Sequence, residues 1–412
     1  FPGQGSQRPG MGGGWVDHPS WEVVDEAAAM SGRDVAHLLL RADQDELKLT
    51  ANAQLATYVL SLVVLDAIER IGVEPTVCAG HSLGEYSALT ASGALAFEDG
   101  IRLVVERGDA MHEAAEDRPG TMAAVLGVDD DTVEAACQRA EGEVWVANYN
   151  AEGQVVVAGD PEAVARAGEL AKSLGARKVM PFPVAGAFHT PLMAPARARL
   201  RKALAETPFN APEVPVVANV DARVHDDPGD WPGLLSAQLC SPVRWRQTLA
   251  ALEEMGTSSV VEVGPGGVLT GLARRALPAA RPLAVASPAD LDPLVDAIAG
   301  STWHAFAAAH QGETLYTSER VVVSPAAGVF EPHGAVAAPG PGNGGPGATG
   351  GPVAGADPAA GSRVAVGDLL GTVGTAEVRT PFAGEVVGYL VHPGERVTSG
   401  QPVAWLRVSV PG

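Results

Sequence analysis

A serine flanked by glycines is the residue of this sequence best suited to act as a nucleophile. Residues 80–84 read Gly-His-Ser-Leu-Gly, and Ser82 lies between the apolar run 77–79 and a helical stretch that begins at Glu85. A strand, a Gly-x-Ser-x-Gly turn and a helix in this order form a nucleophile elbow, in which the glycines permit the sharp turn that exposes the hydroxyl. The helix N-terminus and the Leu83 N–H would then face a developing oxyanion. The alternative is a Gly-rich turn whose serine has no chemical role.

A serine nucleophile needs a base, and two histidines are candidates. His81 is adjacent in sequence, but a neighbour in so sharp a turn is expected to point away from Ser82. His189 is the second candidate, and the residues alone leave open whether it is a base or an ordinary loop histidine. Arg107 lies in a predicted helix and is either a solvated or ion-paired helix residue or, if it faces the site, a fork for a carboxylate.

The pattern from about residue 20 to 300 predicts the elements that must position these side chains. Apolar helical stretches alternate there with short apolar runs, which is typical of an α/β fold with buried strands. The predicted helices include 54–71, 100–115 and 161–174, and the predicted strands include 76–79, 144–147, 155–158, 216–220 and 259–263. The stretch 119–185 has the order strand, helix, strand, strand, helix, strand, which suits a small inserted α+β subdomain.

The C-terminal part of the chain contains an internal repeat. An Arg-Val-x-x-Gly frame begins at Arg363 and again at Arg396, and a Pro-x-x-Gly frame begins at Pro325 and again at Pro381. Residues 334–362 are rich in glycine and proline and cannot bury a core, so they are expected to form a flexible loop. The repeat predicts two similar β-halves, the first of which carries this loop as an insertion.

Composition excludes several classes of protein. The chain has 412 residues, enough for two or three domains, and its formal net charge of −21 argues against nucleic acid as the main partner. The three cysteines are far apart, which predicts neither a disulfide framework nor a local metal site and fits a reducing cytosol. The apolar stretch 55–65 is shorter than the ~20 residues of a membrane span and is predicted to be a buried helix. No secretory signal is visible at the N-terminus.

Taken together, the motifs resemble the malonyl-coenzyme A:acyl carrier protein transacylase family, which also supplies the acyltransferase domains of polyketide synthases. The resemblance covers about residues 1–285 and depends on the order of several separate motifs. These are Phe-Pro-Gly-Gln-Gly-Ser-Gln at 1–7, Gly-His-Ser-Leu-Gly-Glu at 80–85, Glu-Arg-Gly at 106–108, Gly-Ala-Phe-His at 186–189, Gln-Leu at 238–239 before Ser-Pro-Val-Arg-Trp at 241–245, and Glu-Val-Gly-Pro-Gly at 262–266.

The resemblance implies a role for each matching residue. Ser82 would be the nucleophile, His189 the base, Arg107 the ligand of the malonyl carboxylate, Gln4 and Leu83 the backbone donors of the oxyanion hole, and Gln238 the residue that orients His189 through its main-chain carbonyl. In the family, a Phe before the histidine and a branched residue after the serine accompany malonyl over methylmalonyl. Phe188 and Leu83 fit that rule, and the alternative for both is pocket packing without a role in selection.

The resemblance also implies a fold and a set of partners. The expected fold is an α/β-hydrolase-like core with an inserted ferredoxin-like subdomain, which agrees with the pattern at 119–185. Malonyl-coenzyme A and an acyl carrier protein would be the partners, with no nucleic acid or membrane, no covalently bound cofactor and a cytoplasmic location. Two other classes compete: an editing thioesterase, in which water replaces the accepting thiol, and a non-catalytic scaffold. A carboxylate clamp at Arg107 weighs against the thioesterase, and the complete motif set weighs against the scaffold.

The C-terminal part of the chain, residues 318–412, is called the tail here. It resembles a biotinyl/lipoyl carrier domain, an all-β fold whose two halves carry a lysine on the hairpin between them. That lysine is expected near residues 371–379, but Lys202 is the last lysine of the chain. The resemblance therefore implies the fold without the carrier function. The predicted boundaries are an acyltransferase domain at 1–300 with its insert at 119–185, a connector at 301–317, and a β-domain at 318–412 with the insertion at 334–362.

Overall fold

The computed structural model describes residues 1–182, 184–298, 316–333, 362–381, 383–391 and 394–410. The chain divides into two compact units, Phe1–His304 and Ala305–Gly412. Most of the predicted connector 301–317 and nearly all of the predicted insertion 334–362 lie outside the described residues. The last two residues of that connector belong to a strand that begins at Tyr316, so the predicted start of the β-domain is two residues late.

Twelve α-helices of the first unit lie wholly within the described residues, and residues 291–298 are also helical. The twelve are α1 Glu22–Ser31, α2 Val35–Leu40, α3 Gln44–Lys48, α4 Thr50–Arg70, α5 Gly84–Ala91, α6 Phe97–Asp117, α7 Asp130–Arg139, α8 Pro161–Ser173, α9 Ala194–Glu206, α10 Trp231–Gln238, α11 Trp245–Glu254 and α12 Val268–Ala276. The predicted helices at 54–71, 100–115 and 161–174 correspond to α4, α6 and α8, of which α4 and α6 start a few residues earlier than predicted.

Helix α4 lies at the centre of the first unit. At 21 residues it is the described helix whose length and hydropathy would suit a membrane span, but 83% of its apolar window is buried inside the protein. Sixteen of its residues are buried, and they pack against α6, whose own apolar face includes Ile101 and Val104. The structure therefore confirms a buried core helix here, longer than the apolar stretch 55–65 from which it was predicted.

The described strands of the first unit form three sheets. They are β1 Cys78–Ala79, β2 Thr121–Leu126, β3 Val144–Ala151, β4 Gln154–Gly159, β5 Lys178–Pro181, β6 Val216–Val217, β7 Val224–His225, β8 Ser259–Val263 and β9 Arg281–Val285. Strand β1 pairs in parallel with β6, and β8 pairs in parallel with β9. Parallel strands joined through helices define an α/β core, and β1 leads directly into the Gly-x-Ser-x-Gly turn.

A separate antiparallel sheet lies within residues 119–185. Its strand order is β3-β4-β2-β5, and helices α7 and α8 connect the strands in the order predicted from the sequence. These elements follow the order βαββαβ. The subdomain has its own apolar core, built around Val133, Val155 and Val157.

The second unit is built from eight described strands. They are β10 Tyr316–Val323, β11 Gly328–Pro332, β12 Arg363–Val364, β13 Leu369–Val373, β14 Ala376–Arg379, β15 Gly384–Tyr389, β16 Arg396–Val397 and β17 Pro402–Val410. They form two four-stranded sheets, β10-β17-β15-β12 and β14-β13-β11-β16, over a core that includes Phe330, Leu370 and Leu406. The region is all-β, as predicted.

The two halves of the tail exchange their short strands. The strand of the first Arg-Val frame, β12, pairs with β15 of the second half, while the strand of the second frame, β16, pairs with β11 of the first half. Gly367 and Gly400, which end the two frames, both have a positive φ, at 91° and 84°. The sequence repeat is thus also a structural repeat.

Candidate active site

Ser82 lies in a sharp turn between β1 and α5. Its φ is +55°, in the left-handed region that non-glycine residues seldom adopt. A Cβ at Gly80 would collide with the carbonyl of Gly84, and a Cβ at Gly84 would collide with the carbonyl of Phe1. Because only glycine fits on both sides of the serine, the Gly-x-Ser-x-Gly spacing follows from the close approach of these backbone segments.

The first residues of the chain run beside this turn. The Phe1 amino group donates to the carbonyl of Ala79 at 2.8 Å, and the His81 N–H donates to the carbonyl of Phe1 at 3.0 Å. These bonds hold the Gly-rich segment against the elbow, and Gln4 follows directly as a half-buried residue. Leu83, on the other side of Ser82, is fully buried.

His189 forms a hydrogen-bonded relay with Ser82. Its Nε2 lies 2.8 Å from Ser82 Oγ, and its Nδ1 lies 2.8 Å from the main-chain carbonyl oxygen of Gln238. A carbonyl oxygen only accepts, so Nδ1 carries the proton and the neutral ring presents the Nε2 lone pair to the serine hydroxyl. This is the geometry of a nucleophile, a base and an orienting group, with a carbonyl in the position that a carboxylate holds in a Ser-His-Asp triad.

The surroundings of His189 keep its ring neutral. The residue is 4% exposed, and burial, together with the nearby Arg107 charge, lowers the pKa of His189 to about 3. Both effects disfavour the imidazolium form. At neutral pH the ring is therefore available to accept a proton from Ser82.

Arg107 reaches the same point from α6. Its Nη2 donates to Ser82 Oγ at 3.1 Å and to Gln238 Oε1 at 2.8 Å, while its Nη1 donates to Gln54 Oε1 at 2.6 Å. The side chain is buried, and its guanidinium lies 5.5 Å from the centre of the Tyr86 ring. Since these hydrogen-bond partners are neutral, a substrate anion could pair with the buried guanidinium.

The other residues singled out from the sequence also lie here. Phe188 is 6% exposed and precedes His189 in the chain. His81 is turned to another neighbour: its Nε2 lies 2.9 Å from Asn150 Oδ1, and its ring packs against Trp245. Of the two candidate bases, the structure therefore brings His189 and not His81 to the serine hydroxyl.

Sequence reasoning missed two polar residues of the site, Gln54 and Asn219. Both are fully buried amides within apolar runs. Asn219 Oδ1 accepts from the Ser82 N–H at 2.7 Å, and its Nδ2 donates to the carbonyl of Gly80 at 2.6 Å, so it bridges the turn. A polar residue inside an otherwise apolar run was the available signal, because a buried amide requires partners.

A separate cleft lies in the first unit. Its volume is about 530 Å³, and its lining includes Phe1, Leu65, Trp245 and residues of β1 and β8, but neither Ser82 nor His189. Among the described residues, no group of histidine, cysteine and acidic side chains could hold a metal ion. The groups that converge at the site are Ser82, His189 and Arg107.

Comparison with known proteins shows the family to which the chain belongs. The sequence profile of the acyl transferase domain family matches residues 1–292. A malonyl CoA-acyl carrier protein transacylase of Bacillus subtilis is 38% identical over 297 residues, 71% of this chain and 94% of that protein. The Escherichia coli K12 protein of the same name is 42% identical over 282 residues, 67% of this chain and 91% of that protein.

Solved structures give the same result. A malonyl-transacylase in complex with its type II polyketide acyl-carrier protein has a TM-score of 0.70 at 37% identity, covering 72% of this chain and 98% of that one. An acyl carrier protein S-malonyltransferase of Vibrio cholerae has a TM-score of 0.69 at 40% identity, covering 71% and 98%. The chain belongs to the acyl transferase domain family, within which these malonyl transacylases are its relatives. The family match ends before the second unit begins.

Proposed function

We propose that this chain transfers a malonyl group from coenzyme A to the thiol of an acyl carrier protein through an ester on Ser82. The chain is an acyltransferase of the malonyl transacylase type, as its family and relatives show. The catalytic roles are assigned to these residues because His189 Nε2 and Arg107 Nη2 both lie within hydrogen-bond distance of one hydroxyl oxygen, Ser82 Oγ. That arrangement supplies both a base and a cation beside the nucleophile.

The reaction follows from this geometry in two half-reactions. Ser82 Oγ attacks the thioester carbonyl while His189 Nε2 takes its proton, and the coenzyme A thiol leaves with that proton. The thiol of the carrier then gives its proton to His189 and attacks the ester, and Ser82 recovers its proton as it is released. The carbonyl of Gln238 holds the ring through Nδ1 in both directions.

The oxyanion of each tetrahedral intermediate needs donors beside Ser82. The N–H of Ser82 donates to Asn219, and the N–H of Gly84 donates to the carbonyl of His81. Leu83 lies between them at the start of α5, where the helix N-terminus favours negative charge. We assign the oxyanion hole to the backbone N–H groups of Leu83 and Gln4.

Substrate choice is assigned to Arg107, Phe188 and Leu83. The Arg107 fork would hold the malonyl carboxylate in two charge-assisted hydrogen bonds. The buried Phe188 ring and the buried Leu83 side chain would limit space beside the acyl chain, which favours malonyl over methylmalonyl.

The tail is proposed to be a biotinyl/lipoyl-like domain without carrier function. The exchange of β12 and β16 between its halves supports two related β-halves. The hairpin that joins β13 to β14 pairs Val373 with Ala376 around a two-residue turn, and its residues include no lysine. Biotin and lipoate are both attached as amides, which requires a lysine amine, so we assign the tail a structural or docking role.

Mass spectrometry of the intact protein tests the proposed function. Malonyl-coenzyme A alone should add one malonyl group to the chain, and a holo acyl carrier protein should then remove it and become malonylated. Loss of the group to water at the same rate with and without carrier would instead indicate the competing thioesterase, and no adduct would indicate the scaffold.

We expect the enzyme in the cytoplasm, since its three cysteines are free.

A further inference from the structure

A buried carboxylate joins the separate parts of this site. Glu85 lies in the first turn of α5, three residues after the nucleophile, and its side chain is fully buried. One carboxylate oxygen accepts from the Asn219 N–H at 2.7 Å, and the other accepts from Gln238 Nε2 at 2.5 Å. We infer that Glu85 is a positioning residue of the acyl transfer: it fixes Asn219, which holds the Ser82 turn, and the Gln238 side chain, which holds Arg107. This inference rests on the proposed function.

The first arm of this network holds the nucleophile. Ser82 has a positive φ, a strained conformation that persists only where the surroundings enforce it. The Asn219 amide bridges the carbonyl of Gly80 and the Ser82 N–H, which flank His81 and lead directly into the strained residue. Glu85 in turn holds the backbone N–H of Asn219, so the position of that amide depends on the carboxylate.

The second arm orients the Gln238 amide. Its Nε2 donates to Glu85 and to the carbonyl of Ser82, at 2.5 and 2.8 Å, and its Oε1 accepts from Arg107 Nη2 at 2.8 Å. An ionised carboxylate only accepts, so it selects the amide orientation that turns Nε2 towards Glu85 and Oε1 towards Arg107. A proton on the Glu85 oxygen that faces Gln238 would place a donor opposite Nε2. If the Gln238 amide flipped in response, its NH2 group would face the Arg107 guanidinium.

The protonation state of Glu85 is therefore coupled to the site. Burial raises the pKa of Glu85 to about 7, although the hydrogen bonds from Asn219 and Gln238 and the Arg107 charge favour the ionised form. Asp221 opposes ionisation, and the phenol of Tyr86 is neutral at these pH values because burial raises its pKa. Since the pKa of His189 is about 3, the base stays unprotonated as Glu85 titrates. Loss of transfer below pH 7 would then report the carboxylate and not the base.

The variant that tests this role is Glu85→Gln. It keeps an acceptor for the Asn219 N–H but places a donor opposite Gln238 Nε2, so it mimics the protonated carboxyl. We expect kcat/KM for malonyl transfer to fall about 10- to 100-fold at pH 8, as one or two hydrogen bonds between Gln238 and its neighbours are broken. The wild-type rate should fall as the pH decreases from 8 to 5.5, and the variant should lose that dependence.

A further variant separates positioning from general destabilisation. Glu262→Gln is the matched control, because Glu262 is also buried and also accepts from a backbone N–H, that of Thr270 at 2.7 Å, on a different helix. It should leave kcat/KM and its pH dependence unchanged.

The outcomes distinguish the inference from the function on which it rests. A Glu85→Gln protein that folds and transfers malonyl within twofold of wild type at pH 8 would overturn the positioning role. So would a wild-type rate that is flat from pH 5.5 to 8, a measurement that needs no variant and applies even if Glu85→Gln does not fold. Failure of the wild type to form a malonyl ester would instead contradict the proposed function itself.

Discussion

Replacement of Arg107 should change the choice of acyl donor more than the rate of acyl transfer. The guanidinium already donates to Gln54, Gln238 and Ser82. A malonyl carboxylate would add two charge-assisted hydrogen bonds of ~1.5–3 kcal/mol each, and the bond to Ser82 Oγ would be given up in exchange. The net preference for malonyl over acetyl is then about 1.5–3 kcal/mol, or roughly 10- to 150-fold in kcat/KM.

The measurement is the ratio of Ser82 acylation rates from malonyl- and acetyl-coenzyme A, followed by mass spectrometry at donor concentrations below saturation. Arg107→Ala should reduce that ratio by at least the factor above. The substitution also leaves the amide oxygens of Gln54 and Gln238 without their partner. This loss lowers the acylation rate from both acyl-coenzyme A substrates, so it does not change their ratio. Arg102→Ala is the control, because Arg102 lies on the same helix, is 69% exposed and pairs with Asp99. Equal losses with both donors would show that Arg107 is structural and refute the reasoning.

Four other outcomes are expected. Ser82→Ala should abolish the malonyl adduct while leaving circular dichroism unchanged, and an adduct that persists would locate the nucleophile elsewhere. Phe188→Ser should raise transfer of methylmalonyl relative to malonyl, since it opens space beside His189; an unchanged ratio of the two rates would assign the ring to packing alone. The purified protein should carry neither biotin nor lipoate in a streptavidin or antibody blot, and removal of residues 315–412 should leave Ser82 acylation largely intact because the first unit has its own core.

The nucleophile was predictable from the sequence because its signal is local. Gly80 is required by a backbone contact with Gly84, and Gly84 is required by the carbonyl of Phe1; both glycines lie two residues from Ser82, so their spacing is visible as a motif. The order of strand, turn and helix around them was also visible. The pairing of Ser82 with His189 has no such signal, since the two are 107 residues apart, and the residues alone left His81 and His189 both open as bases. The resemblance to a family, not the spacing, favoured His189.

The errors in the predicted elements have physical causes. The strand predicted at 216–220 ends at Val217, because Asn219 turns its side chain to the Ser82 elbow and Ala222 then adopts a φ of +57°. The strand predicted at 76–79 is only Cys78–Ala79. In the tail, the repeat predicted two β-halves, but a repeat cannot show which half each short strand pairs with. The exchange of β12 and β16 appears only in three dimensions.

Selection and catalysis share one charge in this site. After burial, the Arg107 charge is the next largest cause of the low pKa of His189, so it opposes the imidazolium that forms when Ser82 attacks. A malonyl carboxylate paired with the guanidinium offsets that charge and eases proton transfer to His189, whereas an acetyl group leaves it in place. Malonyl-coenzyme A therefore makes His189 a stronger base and also binds more tightly than acetyl-coenzyme A. Arg107→Ala should therefore lower the rate of malonyl transfer in two ways, through weaker binding and through the loss of this help to the base. The rate of acetyl transfer should fall by less than the broken contacts to Gln54 and Gln238 alone would predict, because the charge that opposes the imidazolium is gone.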